Sequence, residues 1–205
     1  MVAMVEIRNG GKEAERGGRI EAMHIIYNKS KGGEVSVDND GLGEILGGDV
    51  AGLAKEVVER LKAKGETLSF AESCTAGNVC RRIGGVAGAS AVFMGGVVSY
   101  AVEIKKRILG VDEKIMQKYG VVSEETAVEM ARGALNVMQT TWAGAVTGYA
   151  GPGGGDEHAS VGTVCFAVAH CSGAVRAFRR EFEGERGEIV EAATKFLLSK
   201  LVELI

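Results

Sequence analysis

Apolar positions in this chain recur at a helical period over several stretches, with short, continuous apolar runs between them. Leu53, Ala54, Val57, Val58 and Leu61 share one helix face, with Asp49 placed to cap the start and Gly65 to end it. Residues 67–71 then read as a buried strand, 74–83 as a helix, and 91–100 as a longer, valine-rich strand. Asp112 caps a short helix that stops at Gly120. Ser123 opens the clearest helix, where Ala127, Met130, Ala131, Ala134, Leu135 and Met138 form one apolar stripe. Glu124 and Glu125 sit in its first turn, where the helix dipole favours anions. Strands at 144–148 and 161–169 follow, separated by a glycine loop, then a strand at 175–182 and a last amphipathic helix from about 188 to 204.

Helices alternating with buried strands, and no tandem repeat, make the class α/β with helices on both faces of a sheet. The turn at 171–173 joins the strands 161–169 and 175–182 so tightly that they should pair antiparallel, so the sheet is mixed. Residues 1–49 differ from the rest. They carry glycine pairs at 10–11, 17–18, 32–33 and 47–48, and only 22–27 could form a short strand. Such a segment buries too little apolar surface to offset its ordering, and it reads as a mobile extension ahead of one domain at 50–205.

Charge and cysteine usage narrow the function. A net charge of -3 without a basic cluster gives no reason to expect nucleic acid or an anionic membrane as partner. The four cysteines, at 74, 80, 165 and 171, have neither zinc-knuckle nor disulfide-scaffold spacing. They read as reduced thiols of a cytoplasmic protein. His24, His158 and His170 lie at neither metal-ligand nor triad spacing, so no metal site is expected and a serine nucleophile would need another base.

Four segments could carry chemistry. Phe70-Ala71-Glu72-Ser73-Cys74-Thr75-Ala76-Gly77 runs from a strand end into a helix start, where free N–H groups favour an anion or oxyanion; ordinary capping by Ser73 or Thr75 explains it equally well. The loop 147–155 holds Gly148, Gly151, Gly153 and Gly154 and could wrap a ligand with backbone N–H groups, or be a plain hairpin connection. In the segment 99–107, Lys105 would serve as a general base if it turned inward, whereas Lys106 and Arg107 read as solvated. Arg186, just before the last helix, is either a surface charge or a phosphate clamp.

Together and in this order, these segments resemble the CinA C-terminal family, the nicotinamide-nucleotide amidases. The family pattern A-E-S-C-T-G-G corresponds to residues 71–77, Y-S-N-x-x-K to 100–105, V-S to 122–123, [ST]-G-I-A-G-P-x-G-G to 147–155, V-G-T-V to 161–164 and F-x-G-D-R to 182–186. Y-S-N reads Tyr100-Ala101-Val102 here, the isoleucine of the glycine loop is Tyr149, and Glu185 replaces an aspartate.

The resemblance implies a three-layer α/β/α sandwich, a homodimer, and hydrolysis of the carboxamide of nicotinamide mononucleotide with no cofactor. It makes Ser73 the nucleophile, Lys105 its base and Tyr100 a supporting catalytic residue, and puts Thr147 and Arg186 at substrate-binding positions, with Thr75 and the loop glycines lining the nucleotide site. The residues left two rivals open, a hydrolase using Cys74 and a non-catalytic nucleotide-binding module. The mechanism expected from the resemblance places the oxyanion on N–H groups near the helix start, with or without those of the 147–155 loop.

Overall fold

The computed structural model describes residues 25–27 and 49–205, the former as backbone. The Asp49 side chain accepts from the Gly52 N–H and starts α1 (Val50–Lys64), which left-handed Gly65 ends. The first strand of the domain, β2 (Leu68–Glu72), is an interior strand of the sheet and buried at every position. It lies between β3 (Phe93–Val98) and β4 (Trp142–Gly148), both parallel to it. β5 (Thr163–His170) runs antiparallel to β4, and β6 (Val175–Glu181) antiparallel to β5. To this five-stranded mixed sheet the segment β1 (Ile25–Tyr27) adds an antiparallel edge beside β6. The remaining helices are α2 (Asn78–Gly84), α3 (Val102–Arg107), α4 (Glu113–Tyr119), α5 (Glu124–Met138) and α6 (Arg186–Leu204).

The pleat of the strands sorts side chains into two cores. On one face Phe70 and Phe166 meet Leu53, Leu61, Leu197 and Leu201 of α1 and α6. Each such burial is worth about 1.5–3 kcal/mol against exposure. On the other, Ala143, Ala145 and Ala167 meet Ala127, Met130, Ala131 and Ala134, and these small side chains let α5 lie close on the sheet. The result is the expected α/β/α sandwich. At mid-helix, Gly133 faces the chain leaving α3: a Cβ there would stand 2.1 Å from the Leu109 carbonyl oxygen. A glycine costs an exposed helix about 1 kcal/mol relative to alanine, and here it brings α5 against the segment that follows Lys105.

Ser123 caps α5 as its spacing predicts, its hydroxyl accepting from the Thr126 N–H, and Asp112 caps α4. Several boundaries differ. The helix expected at 74–83 begins only at Asn78, because Ala76 and Gly77 turn through positive φ first. The strand expected at 91–100 shrinks to β3, preceded by a turn of 3-10 helix at Ala89–Ala91. Beyond it the chain coils into α3, where only the end of a strand had been expected, and α6 starts at Arg186. The expected mobile extension at 1–49 lies outside the described residues apart from Ile25–Tyr27 and Asp49. Among the described residues no helix is long and apolar enough to cross a membrane.

The topology gathers chain ends at one edge. Ser73 follows β2, Tyr100 follows β3 and Tyr149 follows β4, all at the carboxyl ends of parallel strands, where open α/β sheets bind ligands. Because β5 runs back and β6 forward again, the start of α6 with Arg186 arrives at the same edge.

Candidate active site

Glu72 ends β2 with its side chain fully buried. Its carboxylate accepts from the Thr75 hydroxyl at 2.7 Å and from the N–H groups of Gly77, Val79 and Cys80 at 2.9, 3.1 and 2.8 Å. It therefore occupies the positive end of α2 from inside the protein and folds 73–77 into a fixed turn. The N–H groups of Gly77, Val79 and Cys80 at the α2 start are thus engaged by Glu72. Thr75, expected at the substrate site, is buried with its hydroxyl on Glu72 and does not line the cleft.

The turn presents Ser73. Its N–H donates to the Val146 carbonyl, tying the nucleophile candidate to β4. The Lys105 Nζ lies 2.9 Å from Ser73 Oγ and 2.6 Å from the Ser99 carbonyl oxygen. Ser99 is itself held by its N–H on the Glu72 carbonyl. Lys105 is only 1% exposed, and burial brings its pKa down to about 8, opposed by the neighbouring Cys74 thiol. At pH 7 about a tenth of such amines are neutral and able to accept a proton.

Cys74, the rival nucleophile, is buried, and burial pushes its thiol up to about 12 despite its own backbone N–H and the Lys105 charge nearby. It is a thiol, not a thiolate, at neutral pH, which weighs against that rival. Lys106 behaves as the solvated neighbour, paired with Glu113 and Glu103 at 3.3 and 3.7 Å.

A cleft of about 280 Å³ opens on the pair, walled by Tyr100, Val102, Thr147, Gly148, Tyr149, Gly153 and Arg186. Arg186 spans its mouth, donating to the Gly151 carbonyl at 2.7 Å and to the Tyr100 hydroxyl at 2.8 Å. Tyr100, placed among the catalytic candidates, is 57% exposed and its hydroxyl is engaged by Arg186 rather than by Ser73 or Lys105. The Thr147 hydroxyl donates to the Val121 carbonyl. Gly151 contributes its carbonyl to Arg186, and Gly154 lies outside the wall, against Tyr149. A larger hollow of about 550 Å³ lies at the opposite end of the sheet, so size does not select the site; the smaller cleft alone joins the serine–lysine pair to an arginine.

Two contributors escaped the sequence reading. Glu72 stood inside the first motif, but only its burial discloses its role. Ser99, whose carbonyl fixes Lys105, carries no signal beyond its position before Tyr100. Among the described residues no three His, Cys, Asp or Glu side chains are grouped as a metal site would require.

Fold and cleft define an α/β protein with a buried serine–lysine pair beneath an arginine-spanned cleft. Residues 50–205 match the CinA C-terminal domain, and the chain belongs to that family. It is 42% identical over 149 residues to the nicotinamide-nucleotide amidohydrolase PncC of Shigella flexneri, covering 73% of this chain and 90% of that protein. Identity and coverage are the same for PncC of Escherichia coli K12. The crystal structure of the competence/damage inducible protein CihA from Agrobacterium tumefaciens superposes with a TM-score of 0.73 at 37% identity, over 77% of this chain and 96% of that one.

Proposed function

We propose that this protein is a nicotinamide-nucleotide amidohydrolase, converting nicotinamide mononucleotide and water to nicotinic acid mononucleotide and ammonia by way of a Ser73 ester. The observation that carries the mechanism is the 2.9 Å contact between Ser73 Oγ and a buried lysine amine. Family membership and the likeness to PncC support the substrate.

Neutral Lys105 takes the Ser73 proton as Oγ attacks the carboxamide carbon. The N–H group of Cys74, in the cleft wall and donating to no carbonyl among the described residues, receives the developing oxyanion. The Lys105 ammonium then protonates the departing nitrogen, which leaves as ammonia. Lys105, neutral again, takes a proton from water as that water attacks the ester, and the ammonium so formed returns the proton to Ser73 Oγ as the nicotinic acid nucleotide leaves. Arg186 uses two of its five N–H donors on Tyr100 and Gly151, and offers others to the 5′-phosphate. That contact anchors the nucleotide away from the reacting carbon, so binding energy serves orientation.

The same family reading carries a homodimer and a cytoplasmic location, both proposals. The test is product analysis: purified protein with nicotinamide mononucleotide should release ammonia and nicotinic acid mononucleotide in equal amounts, undiminished by EDTA. Loss of turnover with chelator, restored by Zn²⁺ or Mg²⁺, would contradict the scheme.

A further inference from the structure

The proposed substrate carries a permanent positive charge on its pyridine ring, because the ring nitrogen is bonded to ribose. The cleft offers that charge no acidic side chain among the described residues of its wall, with the Lys105 amine beside Ser73 and the Arg186 guanidinium left to the phosphate. Something else must favour the cationic ring. Tyr149 extends the β4 ladder: its N–H donates to the Thr163 carbonyl and its own carbonyl accepts from the Gly162 N–H. It lies two residues beyond Thr147 and so on the same face, towards the Ser73 side of the cleft.

The ring of Tyr149 is held at both ends. Its hydroxyl donates to Asp156 Oδ2 at 2.9 Å, and Asp156 Oδ1 accepts from the N–H groups of His158 and Ala159, each at 2.9 Å. Gly154 lies against one ring edge, where a Cβ would stand 3.1 Å from Cδ1. The phenol stays neutral, since burial and then the Asp156 carboxylate push it up to about 12. A neutral, fixed aromatic face with a carboxylate behind its hydroxyl attracts a cation through the negative face of the ring.

Resting on the function proposed above, we infer that Tyr149, anchored by Asp156, is the specificity-determining contact for the charged pyridinium ring, separating it from an uncharged ring on the same ribose phosphate. The test uses full-length Ser73→Ala protein, so that no turnover intrudes, and calorimetric titration with nicotinamide mononucleotide and with its reduced dihydropyridine form. The two ligands share ribose and phosphate and differ in ring charge. The parent should prefer the oxidised form. Adding Tyr149→Leu should weaken oxidised-form binding about three- to thirtyfold and leave the reduced form nearly unchanged. Tyr149→Phe keeps the ring face and should retain an intermediate preference. Equal weakening of both ligands, no change in either, or a Phe variant as indiscriminate as Leu overturns the inference alone. Binding of neither ligand by the parent overturns the substrate reading and the inference with it.

Discussion

At Lys105 a single side chain is asked to be buried, basic and mobile in charge. Its amine has two oxygen partners, Ser73 Oγ and the Ser99 carbonyl, and, among the described residues, no carboxylate to hold it protonated. With its pKa brought down to about 8 by burial, the neutral fraction grows as pH rises, so kcat/KM should rise through an apparent pKa near 8 and level off above it. Lys105→Met should lower kcat by ~10²–10⁴ with little change in KM, and the pH dependence should flatten. Lys106→Ala, which loses only exposed ion pairs, serves as the control. Arg186 leaves a different signature, because a phosphate contact is made alike in ground and transition states. Arg186→Ala should raise KM for the nucleotide and be nearly silent for nicotinamide riboside, which lacks the phosphate. Equal damage with both substrates would make Arg186 a strut for Tyr100 and the glycine loop instead.

Among elements, the turn between β2 and α2 is the one on which the site depends, and Glu72 is its pin. Glu72→Gln keeps the size but offers an N–H group where Cys80 or Gly77 already points one, leaving a buried donor unpaired at a cost of about 1–3 kcal/mol. The urea midpoint should fall accordingly, and kcat with it, because Ser73 is the next residue; an unchanged midpoint would remove Glu72 from the account. The long elements were legible because period and caps agree: α5 carries a complete stripe between Ser123 and Met138, and α1 runs from an Asp49 cap to a left-handed Gly65. α3 was not, since six residues ending in Lys105-Lys106-Arg107 are too few to display a helical period. The late start of α2 was hidden for another reason: the carboxylate at its N-terminus comes from the preceding strand, and a cap from outside the helix leaves no local pattern.

For the whole molecule, the site is a product of topology. Ser73 and Lys105 are 32 residues apart and Arg186 lies far beyond them, so no local pattern joins them; the carboxyl ends of β2, β3 and β4 do, with β6 delivering the start of α6. The resemblance of ordered motifs names Ser73 and Lys105, which the fold brings to 2.9 Å, while Tyr100 and Thr75 have partners, Arg186 and Glu72, that no motif names. Among the described residues, the two cores and the cleft are built from Val50 onward. We therefore propose that residues 1–48 are dispensable to both. A chain beginning at Asp49 should fold cooperatively and retain turnover; a large loss of melting temperature would show that the missing segment docks on the domain.

Ammonia release from nicotinamide mononucleotide by two single variants decides whether Ser73 or its neighbour makes the covalent bond. Ser73→Ala should abolish release while still binding the nucleotide, and Cys74→Ala, which removes only a buried thiol, should remain an active enzyme. An inactive Cys74→Ala beside a Ser73→Ala protein that still turns over would contradict the account.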